Sequence, residues 1–207
     1  MFHKSSYNMK KAILSSALAF LVIMLLNAGL KPGDNAYAFS LKNVDGKSIS
    51  LSDYSDQKGV IVVFTCNPCP YANAYEQRII ALHKNYADKG FPVVAIDPND
   101  DKISPEDTFA KMKEKAEKKG YPFPYLKDVT QEVYKSYGAT NTPHVYLLQN
   151  DGGTFKVAYV GAIDNNAMDE SSVTTKYVEN AIQAILSGSN PSPASTKAIG
   201  CGIKSAT

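Results

Sequence analysis

The chain is poor in cysteine, poor in histidine and close to charge balance. It holds three cysteines (Cys66, Cys69 and Cys201) and three histidines among 207 residues. Structural zinc takes two Cys/His pairs at ligand spacing. Cys66 and Cys69 make one such pair, while His83, His144 and Cys201 stand apart from one another, so the second pair is missing. No Asp or Glu precedes Asp34. Of the 22 basic residues, Lys4, Lys10 and Lys11 lie in the first 28 positions, and the other 19 face 20 acidic residues. A chain balanced in this way lacks the basic face that nucleic acid requires. Internal repeats are also missing, which excludes a solenoid.

What the N-terminus does contain is a leader. Lys4, Lys10 and Lys11 come first, then an uncharged run over 12–26 rich in Leu, Ile, Ala and Val, then small residues at Ala28 and Gly29. This is the layout of a secretory signal peptide. Ala36-Tyr37-Ala38 offers a second small-x-small site. The apolar stretch over 12–30 is long enough to span a bilayer, so residues 1–28 are expected to be a signal peptide or an N-terminal membrane anchor. Basic residues before the span favour an N-terminus that stays inside. Both readings therefore export the domain, either to the periplasm or to the outward face of a membrane. Residues 29–187 form the domain, and 188–207 a Ser/Pro-rich, tail-like segment that carries Cys201. An unpaired third cysteine in an oxidising compartment is a reactive thiol or an intermolecular partner.

Phe39, Leu41 and Val44 predict a strand, Asp45-Gly46 a hairpin turn, and residues 48–51 the returning strand. Residues 59–64 are a β-branched run apolar on both faces, suited to a buried strand. Tyr71, Tyr75, Ile79, Leu82 and Tyr86 recur at steps of three and four and predict a helix over 71–88, stopped by Gly90. Residues 91–96 predict another buried strand. Ser104, Pro105 and Asp107 mark a helix start; Lys113, Lys115, Lys118 and Lys119 crowd its end, and Gly120 closes it. Its charges read as a solvated face with no assigned function. A strand at 125–126 and a helix over 131–137 follow. Next come a strand at 144–148, a Gly152-Gly153 turn, a partner strand at 156–160 and a helix over 172–186 carrying Val173, Tyr177, Ala181 and Ile185. This alternation predicts an α/β domain: a mixed central sheet flanked by helices on both faces, with an N-terminal β-hairpin extension.

The chemistry concentrates in Thr65-Cys66-Asn67-Pro68-Cys69-Pro70, between a buried strand and a helix. Two thiols at this spacing switch between dithiol and disulfide, and attack needs a thiolate. Placed before or at the helix N-terminus, Cys66 is expected to have a lowered pKa, with Cys69 about one turn in as the resolving thiol. Asn67 and Pro68 tune thiolate stability. Residues 60–64 offer no acid; Glu76 and Asp97 are weak proton-acceptor candidates, read here as surface carboxylates. Thr142-Pro143-His144 stands before a strand, where Pro143 is either a structural cis proline facing the sulfurs or an ordinary proline at a strand start. Cys201 is either a third redox thiol or a small apolar residue docked on the domain. A copper-binding reading would use Cys66, Cys69 and His144, since thiolates and imidazole suit copper.

Four further stretches carry a resemblance together with the motif: residues 33–54, 125–148, 159–167 and 196–204 (TKAIGCGIK). With TCNPCPYANAYEQR over 65–78, they resemble the thioredoxin-like redoxins, in the peroxiredoxin-like branch related to alkyl hydroperoxide reductase and thiol-specific antioxidant. The likeness covers residues 30–204. It implies a thioredoxin fold, Cys66 as attacking thiol, Cys69 as resolving thiol, Pro143 as a cis proline facing them, and no cofactor or metal. Implied partners are protein thiols and disulfides with a redox partner, peroxide in the alternative. Two departures stand out. Pro68 replaces the His of many relatives, and Val63 stands where typical peroxiredoxins have Thr. The expected function is an exported thiol–disulfide oxidoreductase, with peroxide reduction as the alternative.

Overall fold

The structure is a computed structural model that describes residues 29–205. The leader, with Lys4, Lys10, Lys11 and the run over 12–26, lies outside the described residues. Among the described residues no helix is long and apolar enough to cross a membrane.

The β-branched runs pair as the sheet centre. The strands are β1 (Ser40–Asn43), β2 (Ser48–Ser50), β3 (Gly59–Phe64), β4 (Val93–Asp97), β5 (Tyr125–Lys127), β6 (Asn141–Thr142), β7 (His144–Asp151), β8 (Thr154–Gly161) and β9 (Cys201–Gly202). The helices are α1 (Pro70–Tyr86), α2 (Phe109–Lys119), α3 (Glu132–Tyr137) and α4 (Tyr177–Leu186). Seven strands form one sheet in the order β2-β1-β5-β4-β3-β7-β8, and β6 pairs with β9 in a separate ribbon. β3 runs parallel to β4 and β4 to β5, while β7 lies antiparallel to β3.

Strand alternation sorts the core onto two faces. Ile61, Val63, Val93, Ala95, Val145 and Leu147 point to one, where Tyr75, Ile79, Leu82 and Tyr86 of α1, Met112 of α2 and Val178, Ala181 and Ile182 of α4 cover them. Val60, Val62, Phe64, Val94, Ile96 and Leu148 point to the other, under Phe39, Leu51 and Tyr134 and Tyr137 of α3. The expected α/β architecture with a mixed sheet, helices on both faces and an N-terminal hairpin is the one observed.

Three expectations are corrected. Ser104-Pro105 opens a short 3₁₀ turn, and α2 starts only at Phe109. Asp107 turns inward there instead of capping an α-helix, because it accepts hydrogen bonds from the Ser104 hydroxyl, the Asn99 amide and the Asn67 backbone. The last helix begins at Tyr177 rather than near 172. The Asn165 carbonyl oxygen Oδ1 accepts the N–H groups of Thr174 and Thr175 and holds that segment out of the helix. The Ser/Pro-rich segment is bound to the domain: the Val160 N–H donates to the Ala194 carbonyl, the Thr196 N–H donates to the Val160 carbonyl, and Ala198 is buried.

Candidate active site

The motif crosses from β3 to α1 at the C-terminal end of the sheet. α1 starts at Pro70, and Cys69 is its N-cap. Cys69, which the spacing put a turn inside the helix, thus sits where unpaired N–H groups and the helix dipole favour negative charge. Cys66 lies three residues upstream. Both are almost fully buried, at 2% and 3% exposure, and Pro68 between them is exposed.

Thr142 joins the two sulfurs from across the fold. Its peptide bond to Pro143 is cis. Cys66 Sγ lies 3.1 Å from Thr142 Oγ1, and the Cys69 thiol donates to the Thr142 carbonyl at 3.1 Å. On the other side of Cys69, its Sγ is 2.7 Å from Cys201 Sγ. The structure therefore brings Cys66, Cys69, Thr142, Pro143 and Cys201 together. His144 turns away: its ring packs on Tyr146, and its Nδ1 accepts the Thr140 N–H at 3.3 Å. Among the described residues no group of three or more His, Cys, Asp or Glu side chains is arranged to hold a metal ion, so the copper trio of Cys66, Cys69 and His144 is not assembled.

The acid order is the reverse of the one helix counting suggested. The Cys66 thiol is pushed up, first by its hydrogen bond to Cys69, then by burial, with the Asp107 and Asp97 carboxylates adding to it. Cys69 is lowered to about 4, first by its hydrogen bond with Cys66, against the opposing effect of burial, and then by its contact with the Cys201 thiol and the Ala72 and Cys201 backbone. The Thr142 carbonyl beside Cys69 favours the protonated form and is outweighed. Burial and the neighbouring Cys69 push Cys201 up to about 11. Two sulfurs that share a hydrogen bond titrate as a pair.

Asn67 locks the loop by every polar group it has. Its backbone N–H donates to Asp107 Oδ1 at 2.7 Å and its side-chain amide to the Glu106 carbonyl at 2.7 Å. Its carbonyl accepts from Lys115 Nζ at 3.1 Å, and its Oδ1 from the Tyr125 hydroxyl at 3.0 Å. Behind this loop Lys127 Nζ, itself buried, donates to the Asn99 and Asp107 carbonyls and lies 3.5 Å from Asp97. Asp97 and Glu76 are buried, not surface carboxylates. Burial, then Asp107, pushes the Asp97 carboxyl well up. Glu76 is held by Lys119, Lys115 and the Tyr121 hydroxyl and reaches neither sulfur. Sequence reasoning missed Asp107, Lys115, Lys127 and Tyr125 as loop supports. The only signal available was the capping pattern at Ser104–Asp107, which pointed to a different role.

Comparison with known proteins bears on the fold and the family. A crystal structure of an uncharacterized conserved protein from Geobacillus kaustophilus is 38% identical, with a TM-score of 0.78 over 86% of this chain and 93% of that one. The thiol-disulfide oxidoreductase ResA of Bacillus thuringiensis is 29% identical over 127 residues, 58% of this chain. The match spans 65% of that relative's length. The peroxidoxin BcpB of Mycobacterium tuberculosis is 20% identical over 63% of this chain and 84% of its own, with a TM-score of 0.53, a likeness of fold alone. The fold is the thioredoxin fold. Residues 32–160 match the AhpC/TSA family model, and the chain belongs to the AhpC/TSA family.

Proposed function

We propose that the protein is an exported thiol–disulfide oxidoreductase that works through the Cys66/Cys69 dithiol. The observation that carries this reading is the convergence of both sulfurs on Thr142, whose hydroxyl meets Cys66 and whose carbonyl meets Cys69. A relative named as a thiol-disulfide oxidoreductase supports it, and the leader over 1–28 supports export.

Of the two sulfurs, Cys69 takes negative charge more readily and Cys66 keeps its proton more firmly. Attack by Cys66, the role its family resemblance gives it, begins with passage of that proton to Cys69 along their shared hydrogen bond. The Thr142 hydroxyl then donates to the Cys66 thiolate, and the Thr142 carbonyl accepts from the Cys69 thiol. Cys66 forms a mixed disulfide with a protein substrate, releasing one substrate thiolate. Cys69 then displaces the second, leaving the Cys66–Cys69 disulfide and a reduced substrate.

Insulin reduction by wild type and Cys66→Ser tests this. Wild type is expected to turn over, and Cys66→Ser to fall to background, while Cys69→Ser accumulates the mixed disulfide at Cys66. Full activity in Cys66→Ser overturns the site. Peroxide consumption with no disulfide exchange overturns the reaction in favour of a peroxide reductase with sulfenic acid at Cys66.

A further inference from the structure

The segment after Pro193 does more than close the chain. It runs beside β8 and then over the motif, where β9 pairs antiparallel with β6 in the register Thr142↔Cys201 and Asn141↔Gly202. Hydrogen bonds hold it on both sides of Cys201. The Asn141 side chain donates to the Gly200 carbonyl at 2.9 Å, and the Ile203 N–H to the Thr140 carbonyl at 3.2 Å. The Lys204 N–H donates to Asn99 Oδ1 at 2.8 Å, and Gln131 Nε2 to the Lys204 carbonyl at 2.9 Å. Gly200 is required for this approach, since a Cβ there would lie 2.1 Å from the Thr142 carbonyl oxygen.

The result is a row of three sulfurs. Cys66 and Cys69 meet at Thr142, and Cys69 Sγ lies 2.7 Å from Cys201 Sγ. A disulfide has an S–S distance of about 2.05 Å, so a shift of less than about 1 Å along the Sγ–Sγ line brings the two sulfurs to bonding distance for exchange. Cys66 and Cys69 are buried, whereas Cys201 is part-exposed. An apolar residue docked for packing would need neither this sulfur contact nor the strand pairing that aims it.

We propose that Cys201 is a third catalytic thiol that exchanges with the Cys66–Cys69 disulfide through Cys69, a step that rests on the dithiol reading above. The Cys201 thiolate attacks Cys69 Sγ. The Cys69–Cys201 bond forms as the Cys66–Cys69 bond breaks, and the electron pair leaves on Cys66 Sγ, which takes up the proton that Cys201 gave up. One disulfide and one thiol exist before and after, so the step consumes neither oxidant nor reductant. It moves the disulfide from two buried sulfurs to a pair whose outer member meets solvent, and tethering makes the exchange intramolecular.

The test oxidises the full mature chain in glutathione redox buffers, blocks remaining thiols in acid, and maps disulfide-linked peptides by mass. Cys66→Ser is expected to form an internal Cys69–Cys201 link in most molecules, and Cys66→Ser/Cys201→Ser to carry glutathione on Cys69 instead. Wild type is expected to show the Cys69–Cys201 link beside Cys66–Cys69. Glutathione adducts or intermolecular dimers in Cys66→Ser, with no Cys69–Cys201 link, overturn the proposal. Cys201→Ser in the same buffers separates the two readings: it still forms Cys66–Cys69 if the dithiol reading holds, and if it does not, that reading falls whatever Cys66→Ser shows.

Discussion

At the level of single residues, the local environment decides each group's chemistry more than its identity does. Cys66 and Cys69 differ first because the hydrogen bond between them favours charge on Cys69, and then because Cys66 is pushed up further by burial while Cys69 caps a helix. His144 shows the same principle in a structural role. Burial lowers its pKa to about 4 from 6.5, and its Nδ1 accepts a backbone N–H, which only the neutral ring does. The unfolded chain binds a proton at His144 below about pH 6.5, and the folded chain only near pH 4. Stability is therefore intact above 6.5 and declines as pH falls through this window, by about 2–3 kcal/mol at pH 4.5. His144→Gln removes the titrating group. Urea unfolding at pH 7 and pH 4.5 should show a smaller loss for this variant than for wild type.

Among the elements, the β6–β9 ribbon is the one that turns a two-thiol motif into a three-thiol centre. It is only two residues per strand, and it persists because the neighbouring loops at 97–100 and 131 grip the same segment. Gln131, at φ 59 just before α3, reaches both the Pro98 and Lys204 carbonyls. Gly200→Val places side-chain atoms against the Thr142 carbonyl and is expected to lift the ribbon without touching the sheet core. In the redox titration of Cys66→Ser, adding Gly200→Val should cut the fraction of Cys69–Cys201 link at least severalfold. Circular dichroism at 222 nm should stay at the wild-type value. An undiminished link would mean that the ribbon does not position Cys201. α2 carries a related lesson. Its Lys115, read as part of a solvated face, is mostly buried against Asn67 and Asn73.

Across the whole molecule, the stretch before β1 belongs to the domain. Leu30 donates to the Tyr137 carbonyl, Gly33 to Val157 and Ala36 to Phe155, while Val157 donates back to Asp34. The Tyr137 hydroxyl donates to the Tyr37 carbonyl. Removal at Ala28 keeps all of these, whereas removal at Ala38 breaks them. At about 1 kcal/mol per hydrogen bond and about 2–4 °C per kcal/mol for a domain of this size, a chain starting at Phe39 is expected to melt roughly 10–20 °C below one starting at Gly29. Thermal unfolding followed by circular dichroism checks this, and equal melting temperatures would refute it.

Much of this protein is written in local sequence. The β-branched runs at 59–64 and 91–96, the three- and four-residue stripe of α1, and the Cys-x-x-Cys between them were legible because strand and helix periodicity are properties of neighbouring residues. The family stretches likewise pointed to Pro143 and flagged Cys201. What local pattern could not hold is which distant groups meet. Cys69 became the helix cap because α1 begins at Pro70. Asp107 left its cap for Asn67, and Asp97 and Glu76 went inside, because the sheet and α2 close over the motif. Cys201 reached Cys69 across 132 positions only because β9 found β6. Contacts of that sequence separation depend on the packed fold, where burial and hydrogen-bond geometry replace periodicity as the deciding physics.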